Sequence, residues 1–240
     1  MEALYLEDSY LKECDAKVES VKDGKYVVLN RTIFYPNGGG QPHDTGKIIR
    51  KSDGKEFRVV FVGKFEGKIS HEVDGEGLKE GEEVKCILDW DRRYKLMRMH
   101  TAAHVLAGGV LYKKYNAKIT GNQLDVDKSR FDFNLENFDR ETFERAVAEA
   151  NEILGKNIEV KTYYMPRAEA MKNPEMVKLA GALPPNIDPL RIVEIVGVDI
   201  QADGGTHVKN LKEVGKIRII KLENKGKDNR RVYLNWFKII

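Results

Sequence analysis

The chain has 240 residues, of which 41% are hydrophobic and 33% charged, and its formal net charge is +3. This composition is typical of a globular protein with a sizeable core and excludes a disordered chain. No apolar stretch is long enough to span a membrane, and the N-terminal segment is too acidic for a signal peptide. The sequence therefore predicts a cytoplasmic protein with no membrane partner, whose two cysteines, Cys14 and Cys86, are free thiols.

The first part of the chain is predicted to be β structure. Short apolar runs alternate with Gly-rich and Asp-Gly turns at a spacing of roughly ten residues. The predicted strands cover residues 16–21, 26–29, 32–35, 57–62 and 84–88. Short strands at this spacing favour a small barrel or sandwich. We therefore assign residues 1–88 to a small β-barrel domain.

The pattern changes near residue 90, where helical periodicity begins. A helix is predicted over residues 91–112, with Asp91 as its N-cap. Further helices are predicted over 139–154 and over 167–179, the latter ended by two prolines at 184 and 185. The apolar face of the helix over 139–154 consists of Phe143, Ala146, Ala150 and Leu154. Strands are predicted over 158–163, 191–195, 216–222 and 231–237. The predicted fold class is thus α+β, with residues 89–240 forming helices packed on an antiparallel sheet.

Two short motifs contain three of the five histidines. His100 and His104 are four residues apart in a predicted helix, so both imidazoles lie on one face and can bind one metal ion. Alone, this spacing is also typical of ordinary helical histidines. The second motif is Asp203-Gly-Gly-Thr-His207, in which two glycines allow a tight turn that presents both ends to one point. Together the motifs predict a zinc site with three histidine ligands and an open position.

A third motif is rich in glycine and lies in the predicted β domain. It reads Phe-Tyr-Pro-Asn-Gly-Gly-Gly-Gln-Pro-His-Asp-Thr-Gly from residue 34 to residue 46. Consecutive glycines let a ligand approach the backbone, and their N–H groups are candidate donors to a substrate or an oxyanion. A flexible hairpin loop is the alternative interpretation. The spacings that bind nucleotide phosphates are absent.

These motifs, in this order, resemble one protein family. The paired His motifs are similar to the editing domain shared by alanyl- and threonyl-tRNA synthetases, and the glycine-rich motif is similar to that of the alanine branch. The chain is identified as a member of AlaX, the free-standing alanyl-tRNA editing proteins, in its medium-length form. The resemblance implies hydrolysis of the aminoacyl ester of tRNA(Ala) charged with serine or glycine, with Zn²⁺ as cofactor. The family's usual fourth metal position is a cysteine, and here it is Asp203, which is either a ligand or a support for one.

The resemblance and the chemistry of the side chains together suggest further site residues. A site that binds the serine hydroxyl can reject alanine, because its polar group would stay unpaired. The candidate substrate contacts are Thr32, Asn37, Gly38, Gly39, Gly40, Gln41, Thr101 and Gln123. Phosphates of the tRNA need Lys and Arg partners. The candidates are Lys113, Lys114, Lys225, Arg230 and Arg231, each of which is also typical of a solvated turn.

Three other functions agree with parts of the sequence. A zinc hydrolase of small esters or amides would explain the histidines and leave the glycine-rich motif without a role. A non-catalytic tRNA-binding module would explain the loss of the fourth cysteine. Editing of threonyl-tRNA is a closely related function, and the glycine-rich motif disfavours it. The sequence leaves open whether zinc activates water, polarises the ester or anchors the substrate.

Overall fold

A computed structural model describes residues 1–135, 139–176, 187–226 and 229–237 of the chain. The chain divides into two compact units, Met1–Lys95 and Leu96–Ile240. The structure is mixed α and β, and its larger sheets are antiparallel, which confirms the predicted class in outline. Within the described ranges, no helix combines the length and the apolar character that crossing a membrane requires.

The first unit consists mainly of strands. Six of them pair in the order β2-β3-β7-β6-β5-β8, and β8 pairs again with β2, so the hydrogen-bonded ladder closes on itself. Its elements are β1 (Glu2–Ala3), α1 (Leu4–Glu7), β2 (Glu13–Lys22), β3 (Tyr26–Leu29), β4 (Arg31–Thr32), β5 (Gly46–Arg50), β6 (Glu56–Phe65), β7 (Lys68–Val73) and β8 (Glu83–Leu88).

Alternation of side chains explains this core and also two of the strands that the sequence pattern missed, β7 and β5. In β7, Ile69, His71 and Val73 all point inward, and the buried histidine conceals an otherwise regular apolar alternation. The second missed strand, β5, offers only two apolar residues. Of the strand predicted over 32–35, only Thr32 lies in a strand, β4 (Arg31–Thr32).

A buried ion pair organises the centre of the first unit. Arg93 and Asp44 are both fully buried, and the guanidinium donates to both carboxylate oxygens. Arg93 also donates to the carbonyl oxygens of Ser9 at 2.9 Å and Ile33 at 2.7 Å. The Asp44 carboxylate accepts a second bond from the backbone N–H of Tyr35 at 2.6 Å. This network fixes both ends of the glycine-rich segment, because Tyr35 precedes the glycines and Asp44 follows them.

The second unit combines helices with two antiparallel sheets. Its four-stranded sheet has the order β14-β15-β10-β9 and its three-stranded sheet the order β11-β12-β13. The helices are α2 (Trp90–His104, which begins in the first unit), α3 (Lys113–Tyr115), α4 (Arg140–Leu154) and α5 (Arg167–Ala170), with a π-helical segment at Val105–Tyr112 and 3₁₀ turns at Pro174–Met176 and Leu211–Glu213. The strands are β9 (Ile119–Gln123), β10 (Ser129–Phe133), β11 (Val160–Met165), β12 (Leu190–Ile195), β13 (Asp199–Ala202), β14 (Lys216–Asn224) and β15 (Arg230–Phe237).

Helix α4 packs on the larger sheet through the face that its periodicity predicts. Its buried residues are Phe143, Ala146, Val147, Ala150 and Leu154, which confirms the predicted apolar face. Asn151 extends this contact, because its amide donates to the carbonyl of Ile217 at 2.8 Å and accepts from the N–H of Ile217 at 2.9 Å. One side chain thereby satisfies both backbone groups of a residue in β14.

Two helix predictions need correction. The first long helix begins at Trp90, and its cap is Asp89, whose carboxylate accepts from the N–H of Arg92 at 3.2 Å. The predicted N-cap, Asp91, was wrong by two positions. Both aspartates are suitable N-cap residue types, and only the geometry distinguishes them. The helix predicted over 167–179 ends at Ala170. Residues 177–186, which include both prolines predicted to end it, lie outside the described residues.

Loss of the Asp44 carboxylate should destabilise the protein strongly. In Asp44→Ala, Arg93 would remain buried without a countercharge, which typically costs about 3–5 kcal/mol. Denaturant unfolding should show this loss as a lower free energy of unfolding. The control is Glu56→Ala, which removes a pair with Lys47 whose two side chains are each 52% exposed. That change should cost less than about 1 kcal/mol, and equal effects of the two substitutions would contradict the assignment.

Candidate metal centre

Four potential ligands converge at one buried point of the second unit. His100 and His104 project from consecutive turns of α2, and Asp203 and His207 lie in the loop that follows β13. The ligand atoms of all four lie within 4.8 Å of one another, and the three histidines are buried. The structure thus brings together every residue predicted for the metal site.

The spacing between Asp203 and the three imidazoles fits a small tetrahedral metal ion. Oδ2 of Asp203 lies 3.4 Å from Nε2 of His100 and 3.5 Å from Nε2 of His104, and Oδ1 lies 3.4 Å from Nε2 of His207. A tetrahedral site with metal–nitrogen bonds of 2.0–2.1 Å has edges of about 3.4 Å between ligand atoms. The donors, three imidazole nitrogens and one carboxylate, are also those that zinc accepts. The residues present therefore fit the predicted ion.

The charges around this point set the ionisation of the cluster. Burial alone would raise the pKa of Asp203, but the charge and hydrogen bond of His100, with the hydrogen bonds of the other two histidines, hold it well below its usual range. Burial and the charge of His100 push the pKa of His207 well below its ordinary value. Burial opposes protonation of His104, but Asp199 and Asp203 outweigh it and raise its pKa to about 9. At neutral pH Asp203 is thus a carboxylate and His207 is neutral, the forms that bind metals, whereas His104 is protonated and must lose its Nε2 proton to bind a metal ion.

The hydroxyl of Thr101 binds His207, and all of its hydrogen-bonding positions are occupied. Its Oγ1 donates to the carbonyl of Met97 at 2.9 Å and accepts from Nδ1 of His207 at 3.2 Å and from the N–H of Val208 at 3.3 Å. A hydroxyl has one donor and two acceptor positions, so these contacts occupy all of them. The sequence-based assignment of Thr101 to substrate binding is therefore replaced by a role in orienting His207, whose Nε2 faces the cluster.

The Gly-Gly pair matters at one position for a steric reason. A Cβ added to Gly205 would lie 2.2 Å from Cε1 of His100, whereas one added to Gly204 would meet no atom within 4 Å. Neither glycine has a positive φ, so the turn does not need the conformational freedom that the sequence suggested. Arg191, which sequence reasoning missed, braces the same loop by donating to the carbonyls of Asp203 and Gly205, each at 3.0 Å.

Comparison with known proteins agrees with this site. Residues 5–92 match a family model described as tRNA synthetases class II (A), and residues 190–233 match the threonyl and alanyl tRNA synthetase second additional domain. The chain is 54% identical over 237 residues to alanyl-tRNA editing protein AlaX-M of Methanosarcina barkeri, covering 97% of each chain. The chain belongs to the family of alanyl-tRNA editing proteins.

Other relatives extend the comparison beyond one lineage. The editing protein AlaX-M of Saccharolobus solfataricus is 49% identical over 234 residues, again with 97% of both chains covered. The alanine–tRNA ligase of Pyrobaculum aerophilum is 41% identical over 230 residues, which are 92% of this chain and 25% of the ligase. The editing-protein family therefore accounts for almost the whole chain, and the ligase contains a related segment.

In this family member the glycine-rich motif forms a tight, partly exposed loop in the first unit. Gly38 and Gln41 exchange two backbone hydrogen bonds, at 3.1 and 2.9 Å. The N–H of Gly38 is thereby used within the loop, so it is removed from the candidate oxyanion donors. Gly39 and Gly40 have φ values of 59° and 84°, a region that favours glycine. Asn37 and Gly39 are exposed, and Gln41 is buried.

Thr32 lies in the core of the first unit with a histidine that the sequence did not single out. His71 is fully buried, and its Nδ1 donates to the carbonyl of Val27 at 2.9 Å. Its Nε2 therefore accepts from the Thr32 hydroxyl at 2.8 Å, and that hydroxyl accepts in turn from the N–H of Phe34 at 3.1 Å. Burial lowers the pKa of His71 to about 4, so the ring is neutral in the folded protein.

Most of the predicted tRNA contacts are engaged in the second unit itself. Lys114 pairs with Glu149, and Lys225 pairs with Glu223. Arg231 makes two bonds to Asp132, at 2.7 and 2.9 Å. Arg230 donates to Asn224 at 2.9 Å, Lys113 is exposed in α3, and Gln123 is exposed at the end of β9. The tRNA and substrate contacts stay predictions.

The two glycines of the loop should differ in their effect on metal binding. Gly205→Ala places a methyl group against His100 and should weaken Zn²⁺ binding by at least about tenfold, as displaced metal ligands do. Gly204→Ala is the matched control, since its methyl group meets no atom, and should bind Zn²⁺ like the wild type. Competition with a chromophoric chelator measures both affinities. Equal affinities in the two variants would contradict the predicted crowding of His100.

Buried His71 should make stability fall in mild acid. In the unfolded chain the pKa of His71 is near the usual 6.5, whereas in the folded protein it is only about 4. The free energy of unfolding should therefore decrease between these pH values by about 1.4 kcal/mol per pH unit from this group. Unfolding curves at several pH values should show a shallower slope for His71→Gln. Thr32→Val, which keeps the titrating ring, should retain the wild-type slope. Equal slopes in wild type and His71→Gln would refute the prediction.

Proposed function

We propose that this protein hydrolyses the aminoacyl ester of tRNA(Ala) mischarged with serine or glycine, at a zinc site formed by His100, His104, His207 and Asp203. The observation that carries the proposal is the placement of three buried histidine Nε2 atoms around the Asp203 carboxylate, at 3.4–3.5 Å. Relatives that match along their whole length are named alanyl-tRNA editing proteins. An editing protein must remove a wrong amino acid, and the bond that joins it to tRNA is an ester.

Asp203 is proposed as the fourth ligand rather than as a support for another residue. Its carboxylate contacts all three imidazoles at similar distances, as a member of a coordination shell does and a residue behind one ligand does not. Its backbone is fixed, because its N–H donates to the carbonyl of Arg191 at 3.0 Å and Arg191 returns a bond to its carbonyl. An oxygen ligand here replaces the thiolate that the family resemblance implies.

The reaction needs modest assistance because an aminoacyl ester is already activated. Water adds to the carbonyl carbon, the bond to the ribose oxygen breaks, and that oxygen takes up the proton. Held by these four residues, zinc would supply Lewis acidity to an ester oxygen, which requires a coordination position beyond the four protein ligands. The three histidines are buried, and such stabilisation is stronger away from water than in it.

Discrimination between serine and alanine needs a polar partner for one hydroxyl. Among the candidates, Thr101 has no hydrogen-bonding position left. Thr32 is fully buried in the core of the first unit, where its hydroxyl donates to His71 and accepts from the N–H of Phe34. Asn37 and Gln123 are exposed amides that can donate and accept. These two amides are the proposed contacts for selectivity.

Release of serine tests the proposal directly. The wild type should deacylate Ser-tRNA(Ala) much faster than Ala-tRNA(Ala). His104→Ala should lower the rate by at least about 100-fold, since residues behind metal ligands already contribute 10–100-fold. Acid-gel or filter assays with labelled amino acid measure both rates. Serine retained on the tRNA by wild type, or released at the wild-type rate by His104→Ala, would refute the function.

Substitution of Asp203 tests its role as a ligand. Asp203→Ala should lose zinc affinity, and Asp203→Cys should keep it, because a thiolate can occupy the same position. Equal zinc content and serine release in the alanine variant would show that the carboxylate is no ligand. Release of serine from small aminoacyl esters at the same rate as from tRNA would favour a general ester hydrolase. Retained tRNA binding without any serine release would favour a non-catalytic binding module.

A further inference from the structure

A second buried carboxylate lies directly behind one histidine of the metal centre. Asp199 in β13 is 3% exposed, and its Oδ2 lies 3.0 Å from Nδ1 of His104. An ionised carboxylate can only accept, so Nδ1 carries the proton of this contact. Nε2 of His104 is the atom that faces Asp203. Asp199 therefore touches the nitrogen that the metal would not use.

The backbone next to His104 is shaped to admit this carboxylate. Gly108 lies four residues after His104, where α2 has passed into the π-helical segment Val105–Tyr112. A Cβ added to Gly108 would lie 1.9 Å from Oδ1 of Asp199, well inside contact distance. The π-helical turn and the glycine thus leave room for a charged side chain against a helix backbone. No other residue type fits at position 108 while Asp199 keeps its place.

We propose that Asp199 is a positioning residue, which holds His104 in the tautomer that leaves Nε2 free for the metal, and that Gly108 is glycine to admit its carboxylate. This inference rests on the proposed metal site and adds a residue that touches neither metal nor substrate. Carboxylates in this position orient metal-bound imidazoles and raise their basicity. Gln201 fixes Asp199 in turn by donating to its Oδ2 at 2.8 Å.

The two histidines with identified supports are held differently. His207 donates to the neutral hydroxyl of Thr101, whereas His104 donates to a carboxylate. Hydrogen bonds to an ionised acceptor are roughly twice as strong as neutral ones. His104 should thus be the more basic ligand of the two. Loss of its support should therefore weaken metal binding more than loss of the support of His207. Asp199, Gln201 and Gly108 form a support that the His and Gly-Gly motifs do not include.

Zinc affinity of Asp199 variants tests the proposal without reference to activity. Competition with a chelator should show Zn²⁺ binding weakened by about 10–100-fold in Asp199→Ala. Asp199→Asn should lose less, because its amide oxygen still accepts from Nδ1 of His104. Nitrogen-15 NMR of the imidazoles should report the Nδ1-protonated tautomer of His104 in zinc-loaded wild type and in Asp199→Asn. Gly108→Ala should weaken zinc binding as Asp199→Ala does, because the methyl group displaces the carboxylate.

A second buried carboxylate controls for a purely structural effect. Asp132 is 6% exposed and paired with Arg231 in the same unit. Asp132→Asn should lower thermal stability and leave zinc affinity unchanged. Wild-type affinity in Asp199→Ala, or an equal loss in Asp132→Asn, would overturn the positioning role. Zinc binding by His104→Ala at the wild-type level would instead refute the proposed metal site itself, so the two failures are distinguishable.

Discussion

The second unit is organised around the convergence of four lone pairs on one buried point. The Nε2 atoms of three imidazoles lie 3.4–3.5 Å from the Asp203 carboxylate, an arrangement that a bound cation would stabilise. Such an arrangement does not form from the ligands alone. Each has to be held from behind, because an unconstrained imidazole can rotate or change tautomer.

The residues behind the ligands supply that constraint by three different physical means. Asp199 and Thr101 act through hydrogen bonds that fix which ring nitrogen carries the proton. Arg191 acts on the loop backbone by binding two of its carbonyls. Gly205 acts sterically, because any side chain at this position would displace His100. The geometry of the centre thus depends on hydrogen bonds to the imidazoles, on hydrogen bonds to the loop backbone and on the absence of a side chain at Gly205.

The first unit follows the same rule with two pairs of buried polar groups. Arg93 with Asp44, and His71 with Thr32, are fully buried, and their main hydrogen-bonding atoms have partners. Burial of an unpaired charge or ring nitrogen would cost several kcal/mol, so each pair fixes the chain segments that supply it. Asp44 fixes the end of the glycine-rich loop in this way, and Thr32 fixes the strand before it.

The sequence by itself predicted the four candidate ligands, the main helices and the family. Helical spacing places His100 and His104 on one face whatever surrounds them, and the apolar face of α4 follows from the same periodicity. Only the tertiary structure decided the roles of Thr101, Asp199 and Gly205, and it also decided which aspartate caps α2. Asp199 lies 95 positions from His104 in the chain, and Thr101 lies 106 from His207. Local pattern carries no information on contacts at such separations, because they depend on how sheet and helix pack.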